Sequence, residues 1–305
     1  MFSNDRVRFE RPDIELLNQN HTVVDLHFHS QYSDGRDPVA KIAEHARQLG
    51  IGIAITDHND IRGALEIDRY DDVFSIPGIE ITACEGSHLL VYFYEIEQLR
   101  RFYDREVAPY RGPHVMSSLS LPMNQIIRRA RTYDCLIIFP HPYCALYTGV
   151  CNPQFSKEEL HDMLQRVDGV EVINAHNLKK WNLKCALLGF NLNKAMTGGS
   201  DGHALVHMGR VVTYARCPRS RHDFLATIKN QSNQVMGKEI HLIRKVTANG
   251  MKLRSSLNNC PDLVEKHIRY SRKVINFKSR ALRSNVRRHI HKRLHSGTLR
   301  NYFGI

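Results

Sequence analysis

Histidine and carboxylate side chains recur at short spacings in the first two thirds of this chain. The earliest are His27 and His29, and Asp34 follows them in the turn sequence SDG. In an extended segment, residues two apart project to the same face, so the two imidazoles can approach one metal ion. Imidazole and carboxylate groups together suit borderline divalent ions such as Zn, Mn and Fe. These residues therefore indicate the chemistry of a metal centre.

The same residue types return in five further segments, each of which adjoins an apolar run. They are His58 in TDHN, Glu80 in PGIEIT, His88 in SHLLVYFY, His141 in PHP, and Asp201 with His203 in GSDGH. A lone histidine beside an apolar run is more often a core residue than a ligand. Six segments that each supply a ligand type favour a metal site, and nine such groups are enough for two or three ions.

The elements that must position these side chains are short apolar runs alternating with helical patterns. The predicted strands cover residues 23–27, 52–56, 79–81, 89–93, 136–139, 170–174, 195–197 and 211–214. Repeated strand–helix units predict an α/β fold with a parallel sheet or a (β/α) barrel. In such folds, the side chains that do chemistry collect at the carboxyl ends of the strands.

The sequence contains N-terminal capping signals for two helices. Asp37 is predicted to cap one of them, with Pro38 at its first position and Gly50 at its end. Ser156 and Glu159 have the spacing of a capping box, which predicts that a second helix begins there.

The order of the motifs HxH, SDG, TDH, PGIE, H, PHP and GSDGH resembles the PHP superfamily, named for polymerase and histidinol phosphatase. The resemblance covers about residues 21–217. It implies a distorted (β/α)7 barrel of the PHP type and a metal-dependent phosphoesterase. The chain is most similar to the smaller stand-alone members, among them nucleotide phosphoesterases and an RNA 5′-end exonuclease.

The resemblance also implies a site for two or three divalent ions (Mn, Fe or Zn), with Glu80 as a bridging ligand. The three implied ligand groups are His27, His29, Glu80 and Asp201; Glu80, His88 and His141; and Asp34, His58 and His203. Two ions on one bridging carboxylate can activate a water that attacks a phosphomonoester or phosphodiester. Asp25 and Asp57 each adjoin a ligand histidine, and we expect them to fix imidazole tautomers, although an ordinary strand-end carboxylate explains them equally well.

Contacts to a phosphorylated substrate are less specific in the sequence. The cationic candidates are Arg36, Lys179, Lys180 and Arg210, and the candidate general acids are His114, His176 and His207. A solvated surface side chain is an alternative explanation for each. Residues 143–152 could form a lid or an ordinary loop.

Composition limits the class of protein. With 305 residues, 42% of them hydrophobic and 24% charged, the chain is typical of globular proteins. Its seven cysteines include no CxxC pair, which argues against a disulfide framework and against a zinc ribbon. The sequence has no apolar run of about 18 residues and no apolar N-terminal signal. We therefore expect a cytoplasmic protein.

Charge divides the chain at Cys217. Residues 1–217 hold 23 basic and 27 acidic residues, whereas residues 218–305 hold 20 basic and 4 acidic ones. We predict an N-terminal arm (1–20), the barrel (21–217) and a basic, mainly helical C-terminal region (218–305). Apolar residues recur at spacings of four and seven over 261–305, so this segment could pack on the barrel, bind nucleic acid, bind an anionic membrane or self-associate.

Two other functional classes stay open at this point. Amidohydrolases also place HxH after the first strand and an Asp after the last. A nucleic-acid or membrane binding protein could retain the barrel as a scaffold. The nine-ligand set, with Asp34 and the Asp201–His203 pair, favours phosphate chemistry.

Overall fold

The computed structural model describes residues 6–144 and 148–240, so the predicted basic helix over 261–305 lies outside the described residues. The strands are β1 (Val7–Arg8), β2 (Thr22–Phe28), β3 (Gly52–Ile55), β4 (Gly78–Thr82), β5 (His88–Phe93), β6 (Cys135–Phe139), β7 (Gly169–Asn174), β8 (Ala195–Gly199), β9 (Val211–Ala215) and β10 (Gln234–Gly237). All eight predicted strands are present, each within two residues of its predicted limits.

Eight α-helices connect these strands. They are α1 (Ile14–Asn18), α2 (Val39–Leu49), α3 (Arg62–Ile67), α4 (Ile96–Phe102), α5 (Met123–Ala130), α6 (Lys157–Arg166), α7 (Lys179–Leu192) and α8 (Arg221–Lys229). A π-helical turn (Tyr103–Val107) and 3-10 turns (Ala108–Tyr110 and Leu205–His207) complete the list for the described residues. None of the helices in this part of the chain is long and apolar enough to cross a membrane.

The strands form two five-stranded mixed sheets rather than one closed barrel. Their orders are β1-β10-β9-β2-β3 and β4-β5-β6-β7-β8. Single bridges, Phe28–Gly202 and His58–Glu80, link the two sheets. The α/β class is confirmed, whereas the predicted (β/α)7 barrel is not. One reason is that β5 runs antiparallel to both β4 and β6, which interrupts the parallel succession that the prediction assumed.

The helix boundaries follow local chemistry. Ser156 Oγ accepts from Glu159 N while the Glu159 carboxylate accepts from Ser156 N, so the predicted capping box is confirmed. Gly50 ends α2 with φ at 69°, as expected for a left-handed cap. The predicted cap at Asp37 is wrong by one residue: Pro38 occupies the N-cap position, and the Asp37 carboxylate instead accepts from Leu205 N.

The body of the fold does not end at Cys217. Helix α8 and strand β10 follow it, and β10 pairs with β9 on one side and with β1 on the other. Phe224, Leu225 and Ile228 of α8 pack in the apolar cluster that lies between the two sheets. The three predicted segments remain a prediction, but described residues on both flanks of 21–217 contribute to the first sheet.

Candidate metal centre

Backbone hydrogen bonds bring the motif segments to one edge of the two sheets. His29 N donates to Gly202 O (2.9 Å) and Gly202 N donates to His27 O (3.3 Å), which aligns the HxH strand with the GSDGH loop. Asn59 N donates to Glu80 O (2.8 Å), which aligns the TDH segment with β4. The ligand types of distant segments therefore meet because their backbones pair directly.

His88 shows why strand direction matters here. It begins β5, whereas the other candidate ligands of the centre lie within or after their strands. Because β5 runs antiparallel to β4, His88 pairs with Thr82 at the end of β4 and so lies at the same edge.

All nine predicted ligands lie in one cluster. Four overlapping groups have ligand atoms within 4.8 Å of one another: His27, His29 and Asp201; His29, Asp34 and His203; His29, His58 and Glu80; and Glu80, His88 and His141. The group of Glu80, His88 and His141 is the same as an implied group. The group of His27, His29 and Asp201 matches another implied group, which also includes Glu80. Glu80 Oε2 lies 3.4 Å from both His27 Nε2 and His29 Nε2, so it adjoins that group as well.

The two oxygens of Glu80 face different ligand groups. Oε1 lies 2.8 Å from His88 Nδ1 and 3.5 Å from His141 Nε2. Oε2 lies 3.1 Å from His58 Nδ1, on the side of His29. This is the arrangement expected of a bridging carboxylate.

The third group differs from the implied one. Asp34 Oδ2 and His203 Nε2 are 2.9 Å apart, as expected for neighbours in one group. His58, however, places Nδ1 beside Glu80 and only Nε2 toward Asp34, at 3.9 Å. His29 takes its place in the third group. His58 therefore lies between two groups.

Four ring nitrogens of the cluster are buried and make no hydrogen bond to any described residue: His27 Nε2, His29 Nδ1, His58 Nδ1 and His141 Nδ1. Buried polar atoms are nearly always satisfied in folded proteins. The first three of these nitrogens each lie 3.1–3.6 Å from a carboxylate oxygen without the geometry of a hydrogen bond. Imidazole nitrogens and carboxylate oxygens in this arrangement fit divalent ions that take mixed N and O ligands.

The electrostatics of the cluster are those of close opposite charges. Burial would raise the pKa of Glu80, but neighbouring imidazoles, among them those of His88 and His27, hold it well below its usual value. Burial lowers the pKa of His58 to about 3, with Glu80 opposing the shift. Glu80 is therefore an anion at neutral pH, and His58 is a neutral imidazole, which is the form that binds a metal.

Two ligands have left-handed backbone conformations that disfavour side chains. The φ angles are 31° at His141 and 50° at Asp201. Non-glycine residues in this region cost free energy and concentrate at functional sites. The turn at Asp34 is equally constrained, because a Cβ on Gly35 would lie 2.2 Å from His29 O.

The sequence and the fold agree on one family. Residues 25–134 match the PHP domain family, and this stretch includes six of the nine candidate ligands. A two-domain protein from Bacteroides vulgatus that contains a predicted PHP-like metal-dependent phosphoesterase has the same fold, with a TM-score of 0.54 and 19% identity over 77% of this chain and 70% of that one. Residues 25–134 are therefore assigned to the PHP domain family, and the fold around them is PHP-like.

Two further proteins resemble this chain. The structure of Endonuclease Q with a 27-mer duplex substrate that has an abasic lesion at the active site gives a TM-score of 0.60, with 18% identity over 72% of this chain and 60% of that chain. An uncharacterized protein of Methanocaldococcus jannaschii is 28% identical over 165 residues, which are 50% of this chain and 82% of that protein. At the identities of the two solved structures, the likeness shows the shared fold.

Behind the candidate metal centre lies a buried glutamate whose role the sequence analysis missed. Glu171 Oε1 lies 2.9 Å from His27 Nδ1, and Glu171 Oε2 accepts from His141 N (2.9 Å) and from the Asn174 side-chain amide (2.9 Å). A carboxylate on Nδ1 leaves Nε2 to face the centre. The available signal was a charged residue within the otherwise apolar strand GVEVIN.

Asp25 and Asp57 do not have the contacts that we predicted for them. The predicted hydrogen bonds to ligand imidazoles are absent among the described residues. Asp25 accepts from Ser200 N (2.9 Å) and Gly209 N (3.0 Å). Asp57 accepts from Ser30 N (2.8 Å), Ser30 Oγ (2.6 Å) and Ser33 Oγ (2.5 Å). Both carboxylates therefore hold the loops that carry ligands, and Glu171 occupies the predicted position beside an imidazole.

The candidate phosphate contacts separate into two places. Arg36 N donates to His203 O (3.0 Å), and the charges of Arg210 and Arg36 both act on His207, so these residues adjoin the third ligand group. His176 joins them, with Nε2 3.3 Å from His207 Nδ1.

Lys179 and Lys180 lie elsewhere, in the first turn of α7. His114 is exposed on the loop whose Val115 and Ser117 carbonyls accept from the side chain of Asn59. The described part of residues 143–152, which could form a lid or an ordinary loop, lies against the centre, because His88 N donates to Thr148 O (3.0 Å).

Proposed function

We propose that this PHP protein is a hydrolase that cleaves a phosphoester, either a monoester or a diester, with two or three divalent ions bound by the nine clustered residues. The observation that carries this proposal is the convergence of buried, unpartnered imidazole nitrogens on the oxygens of Glu80, Asp34 and Asp201. Mn, Fe and Zn are the ions that suit such a donor set. The metal-dependent phosphoesterase and Endonuclease Q neighbours support the same reaction class.

The residues present divide the work of such a reaction. Divalent ions bound here would supply a water of lowered pKa and neutralise charge on the phosphate. Glu80, Asp201 and Asp34 would hold those cations and fix their spacing. Glu171 orients His27 through Nδ1, so the ring does not rotate away from the centre. No side-chain nucleophile is part of this proposal.

Substrate phosphate oxygens would reach Arg36 and Arg210 on the side of His203. Both guanidinium groups act on the neighbouring His207 ring, so they extend the positive side of the site beyond the metal ligands. The substrate in this proposal is a phosphorylated molecule, and a nucleotide or a nucleic-acid end fits the Endonuclease Q likeness. A cytoplasmic location is part of the proposal.

Metal analysis and hydrolysis together test the proposal. The purified full chain should contain more than one divalent ion and, with Mn, should hydrolyse a generic aryl phosphate or aryl phosphodiester. His27→Ala and Asp201→Ala should each remove ions and abolish hydrolysis. His222→Ala is the matched control, because its side chain is 83% exposed and lies on α8.

Three results would contradict the proposal, and each indicates a different alternative. A metal-free protein, or activity that persists in both ligand variants, removes the basis of the proposed site. Cleavage of cyclic amides without any phosphoester would favour the amidohydrolase class. Metal binding without hydrolysis of any nucleotide, oligonucleotide or sugar phosphate would favour a binding scaffold.

A further inference from the structure

The single tryptophan of the chain lies among lysines at the start of α7. Lys180 Nζ is 5.2 Å and Lys184 Nζ is 4.6 Å from the centre of the Trp181 ring. Lys184 Nζ is also 5.7 Å from the centre of the Tyr143 ring, so one ammonium group contacts two aromatic rings. These four residues, Tyr143, Lys180, Trp181 and Lys184, are called the α7 surface below.

The α7 surface is attached to the metal centre. Tyr143 follows the ligand His141 by two residues. Asn182, next to Trp181, exchanges two hydrogen bonds with the backbone of Asn174, whose side-chain amide donates to Asp201 Oδ2 (3.3 Å). These links place the α7 surface next to the segments that carry His141 and Asp201.

The charges on the α7 surface have no carboxylate partner among the described residues. Lys180 and Lys184 are exposed and form no ion pair with any of the described acidic groups. Arg62, elsewhere on the same edge of the fold, is different: it lies over the Tyr32 ring and is bound to Asp60, whose side chain is 2% exposed. The charge of Arg62 is neutralised by a buried carboxylate of the same chain, whereas the ammonium groups of Lys180 and Lys184 can bind an external anion.

Cations interleaved with aromatic rings suit one class of polyanion particularly well. Lysines neutralise successive phosphates of a nucleic acid, and aromatic rings stack on its bases. Stacking requires unpaired bases, because a duplex hides their faces. We propose that the α7 surface binds a single-stranded nucleic acid whose scissile phosphate lies at the metal centre. This inference deepens the proposed function, on which it rests, by naming the substrate class.

An anionic membrane is the competing partner. Leu183, Leu187 and Phe190, further along α7, are 44–61% exposed, and an apolar helix face beside lysines also suits a lipid surface. The nucleic acid is favoured because the rings and the cations gather at the end of α7 that adjoins the metal centre.

Because Trp181 is the only tryptophan, its fluorescence reports on this surface alone, even in the full chain with its basic C-terminal region. The probe is an oligothymidylate of about 12 nucleotides, the size range that single-strand sites cover, with phosphorothioate linkages to slow hydrolysis. We expect saturable quenching of Trp181 emission by the single strand and much weaker quenching by the matching duplex.

Charge and stacking can then be separated by variants. Lys180→Gln/Lys184→Gln should weaken binding at least about fivefold and lower the slope of log K against log salt by about 1.4, because each phosphate contact contributes about 0.7 for single strands. Lys41→Gln/Lys229→Gln, which removes two exposed lysines on α2 and α8, should bind like the wild type. With a labelled oligonucleotide, Trp181→Phe should keep most of the affinity and Trp181→Ala should lose at least about fivefold.

Several outcomes would overturn the inference. They are an unchanged Trp181 emission, equal losses in the two lysine pairs, equal binding of duplex and single strand, and a blue shift with phosphatidylserine-containing vesicles but no response to oligonucleotide. If any of these occurs while aryl phosphate is still hydrolysed, the inference fails and the proposed function stands. If the single strand binds as expected but no phosphoester is cut and no metal is found, the proposed function fails and the α7 surface stands as a binding site.

Discussion

Two layers of carboxylates meet at the candidate metal centre, and they have opposite electrostatic properties. In the front layer, Glu80 and Asp201 face imidazoles, which hold the pKa of both carboxyl groups well below the usual value despite burial. In the layer behind, Asp25 and Asp57 are fully buried among backbone amides and hydroxyls. Burial raises the pKa of Asp25 to about 6 and also raises that of Asp57.

The difference shows what each layer supplies. The front layer supplies negative charge, which divalent cations require. The layer behind supplies hydrogen-bond acceptors: Asp25 fixes the loop of Ser200, and Asp57 fixes the turn of Ser30 and Ser33. An isosteric amide still accepts hydrogen bonds through its oxygen but carries no negative charge. Asp→Asn and Glu→Gln variants can therefore test the comparison directly.

The largest effect is expected for Glu80→Gln. This variant keeps the shape of the side chain but removes the charge that five imidazoles surround, so both adjoining ligand groups lose their shared anion. Ions should be lost from the protein and hydrolysis should fall on the order of 10³-fold or more. Metal content and aryl phosphate turnover measure this, with circular dichroism as the control for folding. Wild-type metal content in Glu80→Gln would show that the front layer is not a metal site.

The front layer was predictable from sequence because its residues combine a rare residue type with short, specific spacing. His27 and His29 are two apart at the end of β2, and Asp201 and His203 are two apart in a glycine-rich loop. The carboxylate that connects the two layers, Glu171, was not predictable in the same way. Glu171 is one charged residue in an apolar strand, and only the folded chain shows that it contacts both His27 and His141 N.

Strand direction limited the prediction of the fold. The apolar run SHLLVYFY predicts a strand, but nothing in its pattern indicates that it runs antiparallel to its neighbours. That direction brings His88 to the site from the start of β5. Apolar runs thus predicted the positions of the eight strands correctly. They did not predict strand direction, and the closed barrel was not confirmed.

Metal affinity should depend strongly on pH. Although burial lowers the pKa of His27, the charges of Glu171, Asp201 and Glu80 raise it well above the usual value, and the pKa of His29 is also raised. These rings bind protons when metal is absent, and a metal ion must displace those protons. The affinity for metal should therefore fall by at least about tenfold for each pH unit below neutrality. His58, with its pKa near 3, should contribute no proton.

Calorimetry in buffers of different ionisation enthalpy counts the protons released when Mn or Zn binds. We expect at least one proton for each protein chain at pH 7. A pH-independent affinity with no proton release would mean that the front layer does not couple imidazoles to carboxylates as the structure indicates.

Glu171→Gln should have an intermediate effect, because Glu171 connects the two layers. The amide keeps one acceptor oxygen, but its NH2 group cannot accept a hydrogen bond. Either His27 Nδ1 or the donors His141 N and Asn174 Nδ2 therefore lose their acceptor, and the negative charge is lost as well. Loss of such a supporting carboxylate typically lowers metal affinity about 10- to 100-fold. Competition with a chelator measures the change, and Glu159→Gln, which lies in the exposed capping box of α6, is the matched control. A metal affinity equal to that of the wild type would show that Glu171 does not support metal binding.

The smallest effect is expected for Asp57→Asn, which makes the same charge change as Glu80→Gln but in the layer behind. Metal content should be unchanged, and the free energy of unfolding should fall by about 1 kcal/mol, because the amide oxygen still accepts hydrogen bonds. Asp57→Ala leaves the amide of Ser30 and two hydroxyls without their acceptor and should cost about 3 kcal/mol or more.

The raised pKa of Asp57 predicts how the difference in stability between the wild type and Asp57→Asn changes with pH. A carboxyl group whose folded pKa is raised stabilises the fold below its unfolded pKa and loses that contribution as pH rises through the folded value. The wild type should therefore exceed Asp57→Asn most clearly in acid, and the difference should narrow toward neutral pH. Urea unfolding of metal-free protein across this range measures the difference. A difference that widens as pH rises would mean that the charge of Asp57 itself stabilises the fold, and the two layers would then not differ in the way described.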